Sequence, residues 1–451
     1  MSAMLSPAQH IRATLALGLP IVGSQVAQMM LHVTDTIIMG WYGVSELASV
    51  VLGSSFFFVL FVLGAGCAQA VMPIVAQAMG RGDETDVRRA TRMGLWLSIA
   101  FGIVVYPLFW WSGPILLALG QTPEVAALSG DFLWIAGFGL IPALLVTTLR
   151  GYLAALERTQ VVLWVTVAAV FVNSGACYAL VFGRWGMPEL GVEGAALASL
   201  LVQIFTFLLL AAYAALLPEL RRFHLFQRFW RADWHAMGQV FRLGWPIGLT
   251  SLAETGLFQA VALMMGWIGT VELAAHGIAM QITALGFMLH LGLSNATTVR
   301  SGRFAGSAEW ADLRLGGLVA IAVSAAIGLL QVAIYLIWPE PIIGLFIDRT
   351  APEAAQIMTF GTTLLALAAA FQMVDAAQVM ALGLLRGVQD TRVPMWMAAL
   401  SYWGVGIPVS WWLAFRAGFG GAGLWIGLVV GLTLAASLLM WRFWARVPRG
   451  A

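Results

Sequence analysis

The chain of 451 residues is 61% hydrophobic and 10% charged, with a formal net charge of +2 and a mean hydropathy of +0.89. A soluble globular protein carries about 25% charged residues, so composition alone excludes that class and points to a polytopic membrane protein. The near-neutral charge gives no support to a nucleic-acid partner. The two cysteines, Cys67 and Cys177, lie inside apolar segments with no CxxC or Cys/His metal spacing, which argues against a disulfide framework or a thiolate metal centre.

Twelve apolar segments follow one another at 14–39, 47–74, 93–119, 131–149, 161–182, 191–217, 243–267, 272–299, 315–338, 355–382, 394–415 and 420–441. They are too long for the strands of a transmembrane barrel and suit helices that cross a bilayer core of about 30 Å. The first run continues well past the length of a signal-peptide core and reads as an uncleaved span. Six prolines fall inside the segments (Pro20, Pro73, Pro107, Pro142, Pro246 and Pro408), which membrane helices tolerate.

All basic residues are arginine, 23 of them, and their distribution is lopsided. Three, Arg184, Arg349 and Arg416, fall between segments on one side. The others lie before the first segment, in alternate loops and after the last, including Arg150, Arg158, Arg228, Arg386 and Arg449. The positive-inside rule then predicts a plasma (inner) membrane protein with both termini cytoplasmic, which an even number of spans allows.

Acids inside the spans mark the candidate site. Leu243–Trp267 contains one charged residue, Glu254, and the tenth segment contains Asp375. A charged carboxylate at the centre of a spanning helix costs at least about 2.5 kcal/mol on insertion scales, so it needs a partner, a proton, a cation or a water-filled cavity. Glu254 follows Arg242 by 12 residues and Asp375 precedes Arg386 by 11. If both arginines mark one membrane face, both acids lie roughly 16–18 Å from it and belong to one site. A hard cation such as sodium prefers oxygen ligands, and Thr255 and Gln281 are candidates to add theirs. A proton could neutralise the pair instead, and the two acids would then titrate together. Asp35 follows Arg12 by 23 residues, roughly 34 Å along a helix, and so lies nearer the opposite face. Glu46 and Glu272 begin the second and eighth segments, where an acid favours a helix N-terminus. His276 and His290 lack ligand spacing and read as buried, hydrogen-bonded histidines.

The chain also repeats. Shifted by 226 residues, MGWYGVSELA (39–48) falls on MGWIGTVELA (265–274), LGLP (17–20) on LGWP (243–246), and Gly80 on Gly306. Further on, RGYLAALERTQVVLW (150–164) resembles LGLLRGVQDTRVPMW (382–396). The fold expected is therefore all-α, with two six-helix lobes, 1–222 and 223–451, in the same membrane orientation, a layout typical of transporters. In this frame Glu254 falls on Gln28 and Asp35 on Val261. The acids are thus asymmetric features on a symmetric scaffold, which favours a functional role.

The paired LGLP and LGWP segments, VTDTIIMGWYG (33–43), the Glu254 helix, the LRG-VQDTR loop (385–392) and the two-times-six layout together resemble the multidrug and toxic compound extrusion (MATE) family, on its NorM-like branch. The resemblance implies two bundles forming a V-shaped cavity. It also implies export of organic cations and drugs, with sodium or protons flowing inward as the coupling ion. It assigns Glu254 and Asp375 to a coupling-cation site in the second lobe, with sodium as the candidate metal, and Asp35 with Asn173 to a polar site in the first. Two positions depart from relatives. Cys177 stands where some carry an acid one turn after the asparagine, and Phe371 where some carry a tyrosine one turn before the helix-10 acid. A flippase for lipid-linked oligosaccharides, from the same wider superfamily, is the alternative, but it would call for basic residues within the spans. A membrane enzyme would need a nucleophile–base pair or a motif such as HExxH, and neither is present. The expected partners are small organic cations and the bilayer, and no feature indicates an oligomer, so a monomer is expected.

Overall fold

Within a bilayer every backbone N–H and C=O must be satisfied inside the protein, and long runs of Leu, Val, Ala and Phe achieve this by coiling into helices. The computed structural model describes residues 4–227, 229–347 and 352–448, and these contain helices and connecting turns without strands. Arg228, Arg349 and Arg449, counted among the loop arginines above, lie outside the described residues. The helices in chain order are α1 (Pro7–Tyr42), α2 (Val44–Arg81), α3 (Glu84–Trp110), α4 (Ser112–Ala118), α5 (Pro123–Ala155), α6 (Thr159–Phe182), α7 (Gly191–Leu216) and the single turn α8 (Pro218–Arg221). They continue with α9 (Trp234–Ile268), α10 (Thr270–Gly306), α11 (Trp310–Ile337), α12 (Pro339–Ile343), α13 (Ala354–Gly387), α14 (Arg392–Ala399), α15 (Ile407–Trp411) and α16 (Gly420–Arg446).

Among the described residues, eleven helices are long and apolar enough to cross a membrane. The remaining segment, 394–415, is helical but broken. α14 passes into a π-helical stretch, Leu400–Gly406, then α15, then a second π-helical stretch, Trp412–Arg416. Pro408 lacks the N–H that would bond the carbonyl four residues back and crowds that carbonyl. A widened π turn upstream is a common way to absorb such a break. The third segment, 93–119, is also interrupted. α3 ends at Trp110, one turn after Pro107, and the chain resumes as the short α4.

Most of the arginines placed outside the apolar segments from sequence belong to helices. Arg150 lies in α5 and Arg386 at the end of α13. The apolar windows stop at the first charge, whereas the helices run on through it.

The chain forms two compact units. One comprises Gly23–Gly248 and the other Met1–Val22 with Leu249–Ala451. The divisions fall inside α1 and α9, not at 222/223. The internal repeat is visible in backbone detail. Gly43 and Gly269, 226 residues apart, both precede a helix in extended conformation, with Glu46 and Glu272 in the first turns of α2 and α10. Glu157 and Gln389 both adopt positive φ, 60° and 58°, just beyond α5 and α13.

Within the second unit, small residues bring helices together. Ser294 Oγ on α10 donates to Val379 O at 2.7 Å and Thr298 Oγ1 to Gly383 O at 2.9 Å. A methyl group on Gly387 would stand 2.8 Å from Thr298 O. Small residues and interhelical hydroxyl bonds are what membrane helices use to pack tightly. On α16, Gly423, Gly427 and Gly431 form a stripe with a period of four, against which the broken 400–416 segment lies. A side chain on Gly431 would reach within 2.8 Å of Gly406 Cα. Trp425, Leu428, Leu432, Leu364, Ala368 and Tyr402 are fully buried in the core between α13, α16 and the π segment. In the other unit, Ser129 Oγ donates to Ser49 O at 2.9 Å, tying α5 to α2 over a core that includes Leu133, Leu140 and Leu144.

Candidate cation-coupling sites

The unit containing Leu249–Ala451 brings Glu254 and Asp375 together. Glu254 projects half-buried from α9, and its Oε1 accepts a hydrogen bond of 3.1 Å from Gln378 Nε2 on α13. Asp375 is 2% exposed and lies three residues before Gln378, hence on the same face of α13. The charges of Glu254 and Asp375 act on each other. Tyr402 lies within electrostatic range of both acids and against Gln378. Arg386 is within electrostatic range of Glu254 but forms no ion pair with it, nor does any other basic group among the described residues. The acids meet because α9 and α13 bear them at matching levels.

The cluster is under-satisfied. Asp375 Oδ1 and both polar atoms of Gln372 are buried without a hydrogen-bond partner in the protein. Buried polar groups are rarely left so, and several together mark a place built to receive something polar. Two carboxyls with neutral oxygens nearby suit a hard monovalent cation or a proton. Among the described residues, no group of three or more His, Cys, Asp or Glu could hold a metal, so a thiolate or imidazole transition-metal centre is not built here.

The surroundings are apolar. Phe371 packs edge-on against Phe258 and Trp425, at 5.9 and 5.5 Å between ring centres, so the position where some relatives carry a tyrosine serves packing. Trp425 Nε1 donates to His276 Nδ1 at 3.1 Å, and His290 bonds Ser324 Oγ and Gln331 Oε1 at 2.8 and 2.9 Å. Both histidines are thus buried and engaged. Thr255 is half-buried and Gln281 exposed, and neither makes a hydrogen bond to the acids among the described residues.

The other unit holds the second candidate. Asn173 Nδ2 on α6 donates to Asp35 Oδ1 at 2.6 Å, and Ser199 Oγ on α7 reaches Asp35 Oδ2 at 3.5 Å. The buried Cys177 thiol lies beside Asp35. Cys177 therefore joins the site as a neighbour of Asp35, at the position where some relatives carry an acid. In the same unit, Arg150 donates to Gln28 Oε1 at 2.5 Å and to Thr166 Oγ1 at 2.9 Å. Gln28 is the repeat counterpart of Glu254. One lobe thus holds a fixed cation against an amide where the other presents an acid.

Of the site residues, Gln378 was legible from its three-residue offset from Asp375. Tyr402 and Ser199 come from other segments, and no local pattern links them to the acids.

The MatE family matches the chain twice, over residues 20–179 and 246–412, in keeping with the duplicated lobes. The chain is 44% identical to a protein named "Probable multidrug resistance protein NorM" of Rhizobium meliloti (strain 1021), with 98% of this chain and 94% of that protein aligned. It is 45% identical to the protein of the same name from Agrobacterium fabrum, with 98% and 95% aligned. Its fold superposes on the crystal structure of the eukaryotic MATE transporter AtDTX14 with a TM-score of 0.85 at 20% identity, covering 97% of this chain and 96% of that one. The chain therefore belongs to the MATE family, on its NorM-like branch, and is a membrane transporter and not an enzyme.

Proposed function

We propose that the chain is a multidrug exporter that expels small organic cations and other toxic compounds by alternating access, in exchange for sodium ions or protons moving inward. The observation that carries this reading is the meeting of Glu254 and Asp375 in a buried, under-hydrogen-bonded cluster with no ion-pair partner. Two anions held this way cannot remain charged and unpaired at low cost. Binding a cation lowers that cost, and the helices α9 and α13 repack when the repulsion between them is removed. The site therefore links cation binding to a change in helix packing. The names of the relatives support the drug-export part of the reading, since both are called probable multidrug resistance proteins.

The arginine distribution supports a plasma (inner) membrane location with both termini cytoplasmic, and no feature calls for more than a monomer. A flippase for pyrophosphate-linked sugars would need basic groups free to meet its substrate, whereas Arg150 is engaged with Gln28 and Thr166 and Arg386 lies within the electrostatic range of Glu254. The test uses purified protein in liposomes loaded with a fluorescent organic cation. A sodium gradient and a proton gradient are imposed separately. The reading expects dye movement under at least one, and no movement under either contradicts it.

A further inference from the structure

Beyond Glu254, α9 presents two faces. Leu257 and Val261, three and seven residues on, are fully buried in the core. Ala260, Leu263, Met264 and Trp267 stand at i, i+3, i+4 and i+7 and so share another face. That face lines a groove of about 740 Å³, whose other wall is the broken segment between residues 407 and 412. The groove follows from the break. Pro408 and the two π-helical stretches direct the 400–416 backbone onto the glycine stripe of α16, and it does not close along α9. Toward Glu254 the two elements do meet. Trp403 donates its Nε1–H to Ala253 O at 3.0 Å, and its ring stands 2.8 Å from where a side chain on Gly256 would begin. Toward the other end the groove is open, with Leu263 and Trp267 61% and 62% exposed. From Ala260 to Trp267 the stripe runs about 10 Å, which fits within one leaflet of a bilayer core of about 30 Å.

Charge separates the possible occupants. The lining is apolar and contains no carboxylate. The open end carries a rim of aromatic rings, with Trp267 and Trp411 packed 6.2 and 6.3 Å from Phe415, and Arg416 stands there with its guanidinium 5.8 Å from the centre of the Trp411 ring. Tryptophan and arginine at the end of a span are suited to the headgroup level of a bilayer. An organic cation would find no opposite charge in this groove and would meet Arg416. A molecule with an apolar chain and an anionic head matches both the stripe and the rim.

We propose that the groove holds an acyl chain of an anionic phospholipid, with the lipid phosphate at Arg416. The chain lies along Ala260, Leu263, Met264 and Trp267, and the guanidinium donates charge-assisted hydrogen bonds to the phosphate oxygens. The lipid belongs to the leaflet remote from the chain termini. It is a partner distinct from the exported compound and from the coupling ion, and it stabilises the fold that binds it.

The test is native mass spectrometry of the purified, delipidated protein titrated with phosphatidylglycerol or with phosphatidylcholine of the same acyl chains. The native chain is compared with Arg416→Gln and with Leu263→Trp, which fills the groove from an exposed position. The proposal expects one phosphatidylglycerol to bind the native chain about fivefold more tightly than phosphatidylcholine, the worth of one arginine near a charged headgroup. Arg416→Gln should lose that preference, bind phosphatidylcholine at the native affinity and melt, lipid-free, at the native temperature. Leu263→Trp should bind both lipids more weakly. Equal native affinity for the two lipids overturns the proposal, as does a preference that survives in Arg416→Gln. Lipid binding unchanged by Leu263→Trp places the lipid elsewhere and also overturns it. Displacement of bound phosphatidylglycerol by the fluorescent organic cation would make the groove a substrate site, and dimers formed only by the lipid-free protein would make it an interface between copies. Either result overturns the lipid assignment and leaves the coupling role of the acids intact.

Discussion

Replacing Glu254 with glutamine should make the protein more stable in sodium-free buffer while removing its response to sodium. The reasoning starts from two charges that are incompletely neutralised. Glu254 has one hydrogen bond, from Gln378, and Asp375 Oδ1 has none. The cost of one such charge in a spanning helix is at least about 2.5 kcal/mol. Glutamine has the same shape, can still accept from Gln378 Nε2, and carries no charge to repel Asp375. A gain of about 1–3 kcal/mol in sodium-free buffer is therefore expected, within the range found when buried ionic groups are replaced by neutral ones of similar volume. Binding adds a second, opposing contribution. A ligand at a hundred times its Kd stabilises the state that binds it by about 2.7 kcal/mol. The native chain should gain that amount on sodium addition, and Glu254→Gln none, so the stability order narrows or reverses as sodium rises. Thermal melts in detergent, across a sodium series at constant ionic strength held with a large organic cation salt, measure both effects. A Glu254→Gln protein with the native sodium increment would refute the reasoning. A variant more than about 2 kcal/mol less stable than native in sodium-free buffer would also refute it, because it would show the carboxylate to be a satisfied structural group.

The first-lobe site should behave independently. Asn173→Ala removes the 2.6 Å donor to Asp35 Oδ1 and should cost about 1.5–3 kcal/mol, the usual worth of a hydrogen bond to a charged group. Its sodium increment from the Glu254 cluster should stay native in the same melts. Gly431→Leu would drive a side chain into Gly406. Overpacking of this kind costs about 1–3 kcal/mol and should displace the π segment from α16, which a lowered melting temperature would show. Gly238→Ala, on α9 with open space around it, is the control, expected to be neutral or to stabilise by up to about 1 kcal/mol.

The twelve segments, the duplication and the acid pair could be read from the sequence because each leaves a local mark. Apolar length marks a span, a 226-residue offset marks the repeat, and a lone acid in an apolar run marks an unusual cost. The sequence did not show where helices end, because charge loss and helix loss are different events. Arg150 and Arg386 end apolar windows yet sit inside helices, with Arg150 bonded to Gln28. The break at Leu400–Gly406 was also hidden. Pro408 was visible, but whether a proline kinks a helix or is absorbed by a π turn depends on what packs against it, here the glycine stripe of α16. Tyr402, Ser199 and the thiol of Cys177 belong to the sites through tertiary contacts alone. The substitution of Cys177 for an acid looked like a loss in one dimension and sets a thiol beside Asp35 in three.

The most direct measurement repeats the liposome gradient experiment with Glu254→Gln and Asp375→Asn beside the native chain. Folding is checked by thermal melts, and dye export is followed under sodium and proton gradients imposed one at a time. The account predicts gradient-driven export by the native chain and none by either folded variant, because each variant lacks one of the two carboxyls that the coupling cation neutralises. Native rates of export from both variants would contradict the assignment of coupling to this pair.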